Sequence, residues 1–231
     1  MTELDGGAIA RVRLEEVARI GPYFAVGHGA APAGAGWRPA SALVADRRIV
    51  GSLIDDVAVK LGTSDRWIAA SIFYQGWAAR LTAIYAGSAA LCGVVPDLRA
   101  DLISYRLPTS GLVDMNISTL VPLAARPGWR SLQDRHLGPL AATIRHEVRI
   151  GSYLLLGNVG SALAGALAAI AGAHGEPLAE LVHRSWAQPV DIAGSGRWMR
   201  TPAGPHYARL TCCGYERLDR GGRCADCSLN W

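Results

Sequence analysis

Charged side chains are scarce in this chain, at 18% of 231 residues, whereas half of the residues are hydrophobic. So low a charge content argues against disorder over most of the length and leaves enough apolar surface for a substantial core in one domain. No Gly-x-Gly-x-x-Gly and no phosphate-loop motif occurs, so the usual signatures of a nicotinamide or nucleotide site are missing. Histidine is also thinly spread. His28, His136, His146, His174, His183 and His206 include no pair at metal-ligand spacing, and His146-Glu147 lacks the second histidine of a zinc-protease helix. The net charge of +4 is distributed along the chain without a recognition motif, and no nucleic-acid partner is expected. The opening Met1-Thr2-Glu3-Leu4-Asp5 has acids where an export signal would carry lysines, with no apolar run behind it, which predicts a cytoplasmic location.

Cysteine is rare as well, yet it is not scattered. Four of the five, Cys212, Cys213, Cys224 and Cys227, form a Cys-Cys-x10-Cys-x2-Cys array. In a reducing compartment such a cluster points to metal ligation or redox chemistry before disulfides. Four thiolates with no histidine among them suit a tetrahedral zinc or an iron-sulfur cluster. Only Cys224 and Cys227 have the short spacing of a zinc knuckle. Adjacent cysteines on an extended chain point to opposite faces, so Cys212 and Cys213 reach one small ion only if the backbone twists. A two-iron cluster is a larger target, and the adjacent pair favours iron-sulfur on that ground. Two other readings stay open: a structural zinc tail on a helical binding protein, and a redox sensor built on a Cys212–Cys213 disulfide or on cluster loss. Cys92, inside an aromatic-rich helical stretch, is expected to be a small buried hydrophobe.

The run Cys212-Cys213-Gly214-Tyr215-Glu216-Arg217, with Gly221-Gly222-Arg223-Cys224-Ala225-Asp226-Cys227-Ser228-Leu229, resembles the terminal motif of the FhuF-like ferric siderophore reductases. The aromatic-rich stretch Ser64 to Pro96 and the stretch Pro139 to Leu167, with Leu156-Gly157-Asn158, are similar to the family's central and preceding segments. Ser228 stands where the family often has proline. The resemblance implies that Cys212, Cys213, Cys224 and Cys227 hold a 2Fe-2S cluster, with no catalytic residue beyond it. It implies one-electron reduction of iron in a ferric siderophore of the hydroxamate class, which releases the metal because hard oxygen donors bind ferrous iron far less tightly. The electron is then expected from a separate protein or a small reductant.

Periodicity predicts a mainly α protein with a small β element, a helical body ending in an irregular cysteine-bearing metal loop. Residues 1–40 are expected to hold a short amphipathic helix, Ala8 to Ile20, and a Gly/Ala/Pro-rich loop, Gly21 to Pro39. The body covers 41–190: a helix or two in Arg38 to Leu61, a long aromatic helix capped by Thr63-Ser64-Asp65 and ended by Pro96, and a hairpin near 102–123. A single helical turn at Leu132 to Leu137, a long helix from Pro139 to Ala173 and a last helix near Leu178 to Trp186 complete it. Residues 191–231 are the iron-sulfur segment of the same domain. Ile150 to Ala173 has no charged residue and is long enough to span a bilayer, but its many glycines and alanines favour a core helix. Peripheral association with the inner membrane stays open. Gly157, Ser161, Gly165 and Ala169 give that helix one smooth face for close packing.

Cations near the cluster would favour its reduced form, and Arg209, Arg217, Arg220 and Arg223 are the candidates, offset by Glu216, Asp219 and Asp226. Gly214, Gly221 and Gly222 leave their amides free to approach sulfur. Trp198, Tyr207, Tyr215 and Trp231 are candidates for an aromatic rim, and His206 for a surface hydrogen bond.

Overall fold

The computed structural model describes residues 14–31, 36–109, 111–175, 177, 180–181, 192, 194–202 and 204–230. Residues 14–18 are helical. The helices that follow are α1 (Ser41–Ala45), α2 (Arg47–Leu61), α3 (Arg66–Cys92), α4 (Ala125–Leu132), α5 (Gly138–Glu147) and α6 (Ser152–His174), with a π-helical turn, Gln133–Leu137, joining α4 to α5. The strands are β1 (Gly27–His28), β2 (Arg38–Pro39), β3 (Val95–Pro96), β4 (Ile103–Arg106), β5 (Asp114–Ile117), β6 (Pro122–Leu123), β7 (Gly196–Thr201) and β8 (Gly204–Arg209). The protein is mainly α with a small β element.

Asp65 starts α3 by accepting a hydrogen bond from the Trp67 amide at 3.0 Å, which satisfies one of the orphan N–H groups of the first turn. The helix ends four residues before the expected stop. Gly93 takes a left-handed conformation, φ 69°, and closes the helix before Pro96 is reached. Between those caps, apolar residues cover every side, and α3 is buried almost throughout from Ile68 to Ser88. Helix α6 packs along it as the second core element, with Leu155, Val159, Leu163, Leu167 and Ile170 at 1% exposure or less. By length and composition α6 could cross a membrane, with a mean hydropathy of 1.8; 72% of its most apolar window is buried within this protein.

The hairpin expected near 102–123 is present as β4 and β5, paired antiparallel from Ile103 opposite Ile117 to Arg106 opposite Asp114. It is the centre of a four-stranded sheet in the order β1-β5-β4-β2, with β1 parallel to β5. Strands β1 and β2 therefore correct the reading of Gly21 to Pro39 as loop alone; backbone pairing to the hairpin outweighs the poor strand propensity of Gly27 and Pro39.

Two other expectations are corrected. The long helix predicted from Pro139 to Ala173 is two helices. Val148 is extended, φ −135°, and Gly151 is the extended N-cap of α6. The β-branched pair Val148 and Ile150 loses side-chain freedom in a helix, and that cost, with a glycine beside them, falls at the break. The segment delivering the cysteines is also more regular than expected: β7 and β8 form a hairpin with Trp198 opposite Tyr207 and Thr201 opposite Gly204. The helix expected near Leu178 to Trp186 lies largely outside the described residues, as do much of Ala8 to Ile20 and Trp231. Cys92 is half-buried at the last residue of α3 and not fully enclosed.

Candidate metal centre and adjoining groove

The β7–β8 hairpin sits on α6, and glycine makes the approach close enough. A Cβ on Gly160 would collide with the Ser195 and Tyr207 hydroxyls, and one on Gly157 with the Thr211 hydroxyl. The Ser195 and Tyr207 hydroxyls are themselves hydrogen-bonded at 2.9 Å, which braces the start of the hairpin where it faces Gly160. The chain leaving β8 then carries Cys212 and Cys213 past the start of α3. There Arg217 donates to the Asp65 carboxylate at 3.1 Å and lies over the Trp67 ring at 5.7 Å. Gly214, φ 84°, turns the chain beneath Trp67.

The second cysteine pair returns by a tight turn in which the Cys227 amide donates to the Cys224 carbonyl at 3.1 Å. The Asn230 amide side chain donates to the same carbonyl at 3.0 Å, and the Arg209 amide donates to the Asp226 carbonyl at 3.1 Å. Those bonds bring the Cys224–Cys227 turn back to the end of β8.

All four thiols are free, and they face each other in two pairs. Cys213 Sγ and Cys224 Sγ are 3.9 Å apart, while Cys212 lies close enough to Cys227 for their thiols to interact. Cys213 and Cys227 are buried, at 3% exposure each. Burial, then the neighbouring Cys213, pushes the Cys224 thiol up to about 12. Burial also raises Cys212, against the Gly214 amide, which donates to its sulfur at 3.3 Å and favours the thiolate. Without metal these two groups are therefore neutral thiols at pH 7, and a bound metal has to displace their protons.

Among the described residues no three His, Cys, Asp or Glu side chains converge on one point as a ready single-ion site. Two sulfurs on one tetrahedral ion at about 2.3 Å would stand about 3.8 Å apart. The Cys213–Cys224 separation meets that value. That spacing suits two thiolates on one tetrahedral metal centre, whether a zinc ion or one iron of a two-iron group. Each of the adjacent cysteines also has a partner across the turn, Cys213 with Cys224 and Cys212 with Cys227.

Of the four candidate arginines, only Arg209 is buried, at 2% exposure; Arg217, Arg220 and Arg223 are exposed. Its Nη2 donates to the side-chain oxygen of Asn158. Asn158, fully buried in α6, is held in turn by donating to the Ser71 carbonyl at 3.0 Å and the Ser71 hydroxyl at 3.2 Å. The Leu156-Gly157-Asn158 run thus performs two tasks: Gly157 admits the cysteine-bearing chain and Asn158 holds its buried cation. Gly221 and Gly222 do not donate to sulfur in this structure; Gly221 instead packs against the Tyr215 carbonyl, where any Cβ would collide.

Beside the thiols, α3 and α6 separate to leave an apolar groove of about 490 Å³ whose wall includes Cys213 and Cys224. Gly76, Ala79, Gly165, Ala166 and Ala169 give it width, and a Cβ on Gly76 or Gly165 would meet nothing within 4 Å. The small-residue face of α6 is therefore partly a groove wall and not helix contact throughout. Among the described residues no charged side chain lines the groove; the polar groups there are Tyr23, Gln75, Ser161 and Tyr215, and the Gln75 side-chain oxygen is buried without a hydrogen-bond partner. Of the expected aromatic rim, Tyr215 lies in this wall, whereas Trp198 and Tyr207 stack on each other in the hairpin, ring centres 5.4 Å apart. His206 meets the Ala225 carbonyl at 3.1 Å.

Tyr23 and Phe24 line the groove from the opposite end of the chain and were not identified from the sequence. An aromatic pair inside a Gly- and Pro-rich segment was the available signal. Arg80, buried in α3, holds that segment down by donating to the Pro22 and Ala25 carbonyls, and it donates also to the Val113 carbonyl beside β5. Compared with protein-family models and with curated proteins, the chain matches none.

Proposed function

We propose that the chain is a ferric siderophore reductase: Cys212, Cys213, Cys224 and Cys227 hold a 2Fe-2S group, and the groove between α3 and α6 receives the iron chelate. The observation that carries this reading is that Cys213 and Cys224 are part of the wall of an apolar groove large enough for a small molecule. A 2Fe-2S group held by these thiols supplies single electrons, which suits reduction of one ferric ion to ferrous. The electron comes from an external donor, a protein or a small reductant, since the sequence carries no nicotinamide or nucleotide motif.

The groove supports the hydroxamate class by charge. Three hydroxamates balance ferric iron to a neutral complex, whereas a tris-catecholate carries a net negative charge and would need cations that the described lining residues do not supply. Gly76 and Gly165 leave room for the chelate, Gln75 offers an unpaired acceptor, and Tyr215 closes the groove beside the sulfurs.

A single-turnover experiment tests the proposal. Anaerobically reduced protein, freed of excess reductant, is mixed with a ferric trishydroxamate and a ferrous-specific chromogenic chelator. About one ferrous ion per chain is expected, as one cluster stores one electron, and none from Cys227→Ser. Equal ferrous yield from both proteins, or none from the wild type with its cluster present, would overturn it.

A further inference from the structure

Four buried polar atoms without hydrogen-bond partners belong to residues close in sequence to the cysteines: Arg209 Nε and Nη1, Thr211 Oγ1 and Asp226 Oδ2. Arg209 is the costly member of this group. The residue is 2% exposed, and among the described residues its one side-chain hydrogen-bond partner is the neutral amide of Asn158. A buried cation held by a neutral acceptor alone is unfavourable unless an anion completes the pairing. Asp226 reaches the same space, yet its Oδ2 and the two free Arg209 nitrogens remain unpaired with each other. Arg209 also acts electrostatically on Cys224, favouring its thiolate, so the cation lies within range of the sulfurs.

We propose that Arg209 is a preset countercharge for a dianionic metal-thiolate group, clamped from behind by Asn158 and Ser71 so that its two unpaired nitrogens are left for that group. This rests on the reading that the four cysteines bind metal. It is a positioning residue, acting on the sulfur-bound group and not on the chelate. The Ser71–Asn158–Arg209 chain ties the metal centre to both helices that form the groove, α3 and α6.

The two roles open to a buried arginine differ in sign. A structural arginine stabilises the protein whether or not metal is bound. A countercharge is unfavourable in the metal-free protein and favourable in the loaded one. Wild type, Arg209→Met and Arg209→Lys are therefore compared metal-free and reconstituted. Thermal midpoints are read in both states, with metal retention against a competing chelator and the reduction midpoint in the loaded state.

Arg209→Met is expected to keep or raise the metal-free thermal midpoint, to weaken metal retention by about tenfold to a hundredfold as supporting residues of metal sites do, and to move the reduction midpoint to more negative values. Removing a positive charge disfavours the added electron. Arg209→Lys keeps the charge and recovers most of the shift in midpoint. A Met variant that loses metal-free stability as much as loaded stability, or fails to fold without metal, overturns the proposal. So does one with wild-type retention and midpoint. If the wild type takes up one zinc and no iron, the reductase reading fails on its own. The retention arm then still judges Arg209, because a zinc tetrathiolate is also dianionic.

Discussion

Gly214 has a left-handed backbone directly after the Cys212–Cys213 pair, and replacing it by alanine tests how the fold shapes the proposed metal centre. Its φ of 84° is left-handed, which costs an L-residue about 1–2 kcal/mol. The added methyl would also stand 2.7 Å from the Trp67 ring and 3.2 Å from Ile68 Cγ1. Neither neighbour yields easily, since Trp67 is in the capped first turn of α3 with Arg217 over its ring. Overpacking of this kind costs about 1–3 kcal/mol, so the total is about 2–5 kcal/mol. The tail gives way before α3 does, and the bond from the Gly214 amide to Cys212 Sγ is lost with it. Even 2 kcal/mol is about thirtyfold in an equilibrium constant. Gly214→Ala is therefore expected to hold reconstituted iron at least about thirtyfold less tightly against a chelator, while circular dichroism still reports the helical body. Gly222→Ala is the control, because its Cβ meets nothing within 4 Å at an ordinary φ. Equal metal retention by the two variants would refute the reasoning.

Three further predictions follow from particular side chains. Cys227→Ser should abolish metal loading and leave the helical circular dichroism largely intact, because the ligand turn lies outside the α3–α6 core; loss of all helical signal would contradict this. His136 is fully buried, accepts a hydrogen bond from the Trp77 indole at 3.1 Å and meets the Leu98 carbonyl at 2.7 Å, and burial pushes it down to about 4. The folded state thus prefers neutral imidazole, so its contribution is fully present above the unfolded value of about 6.5 and is lost as pH falls toward 4, reaching about 2 kcal/mol by pH 5. Urea unfolding at pH 7.5 and 5.0 should show that loss in the wild type and not in His136→Gln; parallel pH dependence in both would contradict it. Gly165→Leu should fold at least as stably as the wild type, since its side chain enters open space and leucine favours helix by about 1 kcal/mol over glycine. It should weaken binding of a gallium trishydroxamate, a redox-inert mimic, by roughly tenfold or more, the scale of one misplaced apolar group in a pocket. Unchanged affinity measured by calorimetry would remove the chelate from this groove.

The parts of the fold legible in the sequence were those with a strong local signal. The aromatic period and Asp65 cap outlined α3, and the β-branched run with Pro108 to Gly111 between its arms announced β4 and β5. The β7–β8 hairpin was hidden because Gly196, Gly204 and Pro205 are poor strand formers. A two-stranded ribbon tolerates them, since a proline there faces an edge and forfeits no central pairing. The break between α5 and α6 turned on the extended backbone of Val148, which a run of apolar residues does not reveal.

The grouping of the four cysteines was legible from their spacing, and the structure brings Cys213 to Cys224 and Cys212 to Cys227. Arg209 was visible only as one of four arginines in a mixed-charge tail. What separates it from Arg217, Arg220 and Arg223 is burial against Asn158, a contact between residues 51 positions apart. The groove was less legible still. Its walls come from Tyr23, α3, α6 and the cysteine tail, and the glycines that open it look in sequence like helix-contact glycines.

The central claim is that the four cysteines hold a two-iron cluster. Anaerobic ultraviolet-visible spectra of the purified protein, before and after dithionite, with iron, sulfide and zinc determined on the same sample, test it most directly. The account predicts about two irons and two sulfides per chain and broad visible bands that bleach on reduction. A colourless protein holding one zinc and no sulfide would contradict it.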